Sequence, residues 1–136
     1  MGALLKQLGF YALHEPIGVA GNLTFYAATD ARTQRRVLLN VLDTLNEPDE
    51  QSVRQFVQLG ESGQRLRHDS ILTIRDFGEI DHRYYVALEP PRGVALPQIL
   101  RQKERRLSFH ERMATIQQVA AALEHAHTQG CLHGAL

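Results

Sequence analysis

The chain is cut in two by Pro90-Pro91-Arg92-Gly93. Two successive prolines remove two backbone N–H donors and fix φ near −65°, so neither a central strand nor a helix interior runs through them. Any fold this chain adopts must change character here, and the residues on either side do. Before the break, "YALHEPIG", "LTFYAATD" and "RRVLLNVLD" are β-branched and aromatic runs separated by Gly21-Asn22 and by "DARTQ". That pattern predicts three antiparallel strands joined by tight turns. "PDEQSVRQFVQLGESGQRLRH" then sets Val53, Phe56, Val57 and Leu66 at helical spacing behind a Pro-Asp-Glu start. Gly60 and Gly63 weaken that helix by roughly 1 kcal/mol each relative to alanine. "ILTIRDFGEI" and "RYYVALEP" predict a hairpin that turns at Asp81-His82.

After the break the periodicity is helical. A short helix is predicted from Ala95 to Gln102, and a longer one opens with the capping box Ser108-Phe109-His110-Glu111. The longer helix carries an apolar stripe of Met113, Ile116, Ala120 and Leu123, flanked by Phe109 and Val119, and stops near Gly130. Strands with one crossing helix, then helices, make an α+β arrangement.

Charge narrows the function classes. Fifteen basic residues balance fifteen acidic ones, which argues against nucleic acid or an anionic membrane as partner. The start, "MGALLKQLGF", is too short and too weakly apolar for a signal peptide, and no apolar run approaches a membrane span. The single cysteine, Cys131, excludes an internal disulfide framework and fits a reducing cytoplasm. Its apolar neighbours favour a buried, inert thiol over a nucleophile. Of the basic residues only Lys6 and Lys103 are lysine.

Taken in order, these stretches resemble the protein kinase fold, of the bacterial serine/threonine type, from about Phe10 to Leu136. "IGVAGNLTFYAATD" is similar to the glycine-rich loop and the strand after it. "RRVLLNVLD" resembles the strand that carries the phosphate-binding lysine. "FVQLGESGQRLRHDSIL" resembles the regulatory helix and the turn behind it, with His68 and Ile71 retained. "YYVALEPPRG" resembles the strand that enters the hinge, and "LEHAHTQGCLHGAL" the helix and loop that deliver the catalytic aspartate. The resemblance implies a small lobe of five antiparallel strands and one helix over 1–89, a hinge at 90–93, and the start of a helical large lobe over 94–136.

The same resemblance places the chemistry, and the chemistry is missing. The three loop glycines fall on Gly18, Ala20 and Leu23; Gly18 and the neighbouring Gly21 remain, but Leu23 is bulky where bare backbone approaches phosphate. The lysine position is Asn40 and its ion-pair partner is Leu59. Glu61 does not replace Leu59, because it points about 200° around the helix from it. If Leu88 is the gatekeeper, Glu89 offers a carbonyl to adenine, but the donor position is Pro91, which has no N–H. An adenine acceptor left unpaired there costs roughly 1–3 kcal/mol. "HGAL" stands for His-Arg-Asp-Leu: His133 is kept, Gly134 replaces the arginine and Ala135 the catalytic aspartate. Asp76-Phe77-Gly78 spells the metal-binding tripeptide but precedes the hinge, so it reads as structural.

Two other site readings are weak. His125 and His127 point about 200° apart on one helix, which does not suit a metal site with His133. Cys131 has a histidine nearby but no third group to orient it. The expectation is therefore a catalytically inactive kinase-like domain, without cofactor or metal and with ATP disfavoured. It would serve as a protein-interaction or regulatory module, meeting a protein partner or a second copy through Met113, Ile116 and Leu123. The alternative is a non-catalytic nucleotide or small-ligand sensor, with Gly18, Gly21, Asn40 and Glu89 lining the remnant cleft.

Overall fold

A computed structural model describes residues 5–43, 50–102 and 106–131. The elements run β1 (Gln7–Leu8), β2 (Tyr11–Ala20), β3 (Leu23–Asp30), β4 (Arg35–Asp43), α1 (Glu50–Gly63), β5 (Ile74–Ile80), β6 (Arg83–Leu88), α2 (Leu96–Arg101) and α3 (Phe109–Thr128). The strands form one antiparallel sheet in the order β1-β2-β3-β4-β6-β5. The sheet has six strands rather than five. The extra one, β1, is only two residues long and pairs Gln7 with Ala12 and Leu8 with Tyr11, too short to leave a periodic signal.

Both tight turns fall where the sequence put them. Gly21 takes φ 61° in the β2–β3 turn, and Asp81 and His82 take φ 51° and 62° in the β5–β6 turn. Successive left-handed residues match the twist of a hairpin, and Asp and His tolerate that region better than most side chains. β2 is less regular than its neighbours. Its pairing with β3 shifts on both sides of Pro16, which cannot donate to the ladder.

Alternation along β3, β4 and β6 divides the sheet into two apolar faces. Tyr26, Ala28, Val37, Leu39, Val41, Tyr85 and Ala87 point to one, where Leu8, Tyr11 and Leu13 close the core. Leu42 and Val86 point to the other and meet Phe56 of α1, with Val53, Ile74, Phe77 and Leu88 around them. Gly60 and Gly63 have their explanation at this contact. A Cβ on Gly60 would stand 2.8 Å from a Phe77 ring carbon, and one on Gly63 would stand 2.5 Å from the Ile74 tip. The glycines lower helix propensity but let α1 lie close against β5. Leu66, whose spacing suggested the same helix, lies beyond its end and is buried instead with Ala126 and Cys131.

Past β6 the chain runs without regular structure to α2, through the two prolines. The α3 capping box forms as expected: Glu111 N donates to Ser108 Oγ at 3.1 Å and Ser108 N donates to Glu111 Oε2 at 2.8 Å. Only the far end of α3 is packed. Ala122 and Ala126 are buried, whereas Phe109 is 79% and Ile116 60% exposed, with Met113 and Val119 also open. Leu123 of the same stripe is half-buried.

Candidate functional site

Asn40 lies in the middle of β4, opposite Phe25 on one side and Val86 on the other. Its Oδ1 is buried and accepts no hydrogen bond. Leu59 projects from α1, 46% exposed, into a cavity of about 710 Å³. Gly21 and Leu23 of the β2–β3 turn form a second wall of that cavity, and Gly130 and Cys131 at the end of α3 a third. Among the described residues, none that lines it is Lys, Arg, His, Asp or Glu. Apolar contact and a few hydroxyls and amides are all it offers. Cys131 is 5% exposed, and its Sγ accepts the Ser62 hydroxyl at 3.6 Å. That partner and that burial account for the thiol.

The four cleft residues named from the sequence are not gathered into one pocket. Gly21 lines the uncharged cavity, while Gly18 sits three residues earlier, paired with Phe25. Asn40 is on the sheet between them and the hinge. Glu89 turns its side chain away, to a 2.9 Å ion pair with Arg75, and its N–H donates to Thr73 O. A separate cavity of about 320 Å³ lies against the hinge, walled by Ile17, Ala27, Leu38, Pro90 and Pro91. His133, Gly134, Ala135 and Leu136 fall outside the described residues, so no geometry is assigned to them.

Asp76, the apparent metal ligand of "DFG", is occupied. Its Oδ2 accepts the hydroxyls of Tyr11 at 2.8 Å and Tyr85 at 2.9 Å, and Arg32 Nη2 stands 3.6 Å away. Arg32 in turn donates to both oxygens of Asp30 and lies over the Phe10 ring, 3.6 Å from its centroid. Burial, and then the Asp76 carboxylate, push the Tyr85 phenol up to about 12 and raise that of Tyr11 as well. Hydrogen bonds from Arg32 hold Asp30 below the usual carboxylate range. This network ties the start of β2 to β5, β6 and the β3–β4 turn. Asp76 is structural, as its place before the hinge predicts, and its partners lie 9 and 65 positions away, where no local sequence pattern marks them.

His125 meets His68 across the join between the sheet and α3, with ring centroids 5.3 Å apart. Among the described residues no group of three or more His, Cys, Asp or Glu could hold a metal ion. No described helix is long and apolar enough to cross a membrane.

Residues 18–136 match the family described as protein tyrosine and serine/threonine kinase. The chain is 29% identical over 125 residues to the serine/threonine-protein kinase PrkC of Bacillus subtilis, covering 92% of this chain and 19% of that protein. It is 32% identical over 128 residues to the serine/threonine-protein kinase PknE of Mycobacterium bovis, covering 93% of this chain and 22% of that one. It thus spans about a fifth of the length of these relatives. Among solved structures, the kinase domain of Mycobacterium tuberculosis PknI superposes with a TM-score of 0.78 at 27% identity, over 96% of this chain and 54% of that one. A double-mutant form of that domain gives a TM-score of 0.83 at 26% identity, over 98% and 56%.

Proposed function

The chain belongs to the protein tyrosine and serine/threonine kinase family, and from that premise we propose that it is a non-catalytic member whose work is binding other protein. The observation that carries the reading is the cavity beneath the β2–β3 turn, whose described lining holds no charged side chain. Phosphoryl transfer is driven mainly by positioning and by opposite charge held against the phosphates. Here the turn, α1 and the end of α3 enclose about 710 Å³, and none of the described residues on its wall is a cation. Asn40 and Leu59 stand where the family's Lys–Glu pair would, and a neutral amide with an aliphatic side chain cannot form one. Leu23 further obstructs close approach of the turn backbone to phosphate.

The open face of α3 supports the binding half of the reading. Phe109, Met113, Ile116 and Val119 are exposed at spacings that put them on one side of the helix. A contiguous apolar patch of this kind usually marks an interaction surface; a protein partner, a second copy of the chain, or a further segment of a longer polypeptide would each cover it.

Phosphoryl transfer and nucleotide binding are tested together. The expectation is no transfer from labelled ATP to a general protein substrate, and no thermal shift with millimolar Mg–ATP. A site filled at 100 times its Kd would add about 2.7 kcal/mol, which such a shift readily detects. Transfer that tracks the purified chain, and that Asn40→Asp abolishes, would overturn the reading. A second reading, a small-ligand sensor, is favoured by the separate hinge cavity of about 320 Å³, a volume suited to a single ring system.

A further inference from the structure

We propose that α3 pairs with α3 of a second copy of the chain, antiparallel, about a two-fold axis between Ile116 and Ala120. The pairing rests on the binding reading above and names its partner. Phe109, Met113, Ile116, Ala120, Leu123 and His127 follow one another at steps of four, three, four, three and four residues. Alternating steps of four and three are the repeat of two helices wound along each other. All six side chains are exposed except Leu123, which is half-buried. The seam thus runs nearly the whole 20-residue length of α3, and another helix of similar length covers it evenly. Among the described helices only α3 itself is that long.

One register makes the seam complementary to itself. With Ile116 opposite the partner's Ala120, Met113 meets the partner's Leu123 and Phe109 meets the partner's His127. The central layers set a bulky side chain against a small one, which lets the helices approach closely. The flanks agree with that register. On one side Val119, 42% exposed, meets its own counterpart across the axis. On the other, Glu124 comes beside the partner's His110, and two-fold symmetry makes that contact twice. Both residues are exposed, and neither has an ion-pair or hydrogen-bond partner among the described residues. A parallel pair loses these matches. It sets Val119 against Glu124 and Arg112 against Gln117, so no opposite charges meet. It also crowds both sheets at one end, because α3 is packed at its C-terminal end, through Ala126 and the nearby Cys131. Antiparallel pairing places the two sheets at opposite ends.

The whole chain is followed by sedimentation from about 1 μM to about 1 mM, where a reversible monomer–dimer equilibrium is expected. Glu124→Lys and His110→Glu should each raise the Kd of the dimer by about threefold or more, and the double variant should restore it. Both positions are exposed, so neither change touches the core. They lie fourteen residues apart on one helix, about 21 Å at 1.5 Å per residue. Mutual rescue therefore requires two chains running in opposite directions. A dimer that the single variants leave unchanged, or that the double variant fails to restore, overturns the proposal. A monomer throughout overturns it as well, and means that another protein or a further segment of a longer polypeptide covers the face. The binding reading survives that result and fails instead if the purified chain transfers phosphate in the assay above.

Discussion

At the scale of single residues, Asp76 and its tyrosines make the clearest case of a buried carboxylate held for structure. Tyr11 is 1% and Tyr85 4% exposed, and both hydroxyls end on the same carboxylate oxygen. Asp76→Ala leaves two buried donors without an acceptor, and should lower stability to urea by about 1–3 kcal/mol; Asp76→Asn, which keeps an acceptor oxygen, should lose less. A loss within error for the alanine variant would mean water satisfies the hydroxyls. The same pair sets an alkaline limit. A phenol whose folded pKa lies above its unfolded value of about 10 favours folding while protonated. That contribution is complete below pH 10 and is lost as pH rises toward about 12, where Tyr85 ionises. Stability should fall across that window, and phenolate absorbance should show Tyr11 and Tyr85 titrating late. Tyr85→Phe removes one of the two ionising groups and should flatten part of the alkaline fall.

At the scale of elements, α1 shows why propensity alone misreads a packed helix. Alanine is the better helix former at both glycine positions by roughly 1 kcal/mol. At Gly63 the new Cβ meets the mobile tip of Ile74, which can swing aside. At Gly60 it meets the Phe77 ring at Cδ2 and Cγ, 2.8 and 3.0 Å away, and a ring between a helix and a strand has no such freedom. Gly63→Ala should be nearly neutral, whereas Gly60→Ala should destabilise by about 1–3 kcal/mol through overpacking, both read from denaturant midpoints. If Gly60→Ala is the more stable of the two, the α1–β5 contact is looser than described. α3 presents the opposite case, a helix with good capping and a poorly covered apolar side. Ile116→Glu removes nothing from the core, since Ile116 is 60% exposed. It should leave thermal stability unchanged while dispersing any concentration-dependent association seen by sedimentation; an unaltered association would move the interface elsewhere.

At the scale of the whole molecule, the order of elements was legible from the sequence because each is signalled locally. Gly21-Asn22 and Asp81-His82 make turns, Ser108 and Glu111 cap a helix, and Pro90-Pro91 interrupts everything. These are short-range effects, carried by dihedral preference and by hydrogen bonds within four residues. The family resemblance followed from that order and from residues such as His68, and with it the positions of Asn40 and Leu59. β1 escaped because two residues carry no period. By the resemblance, the lysine and glutamate positions fall on Asn40 and Leu59 and the hinge donor position on Pro91, and whether a residue carries a charge or an N–H is a property of the residue itself. Only the tertiary structure decided what stands in their place. It put Leu59 and Leu23 on one cavity whose described lining is uncharged, separated Glu89 from Gly21, set a second cavity against the two prolines, and bound Asp76 to Tyr11 across 65 positions. Those outcomes depend on which surfaces exclude water together, and chain separation carries no record of that.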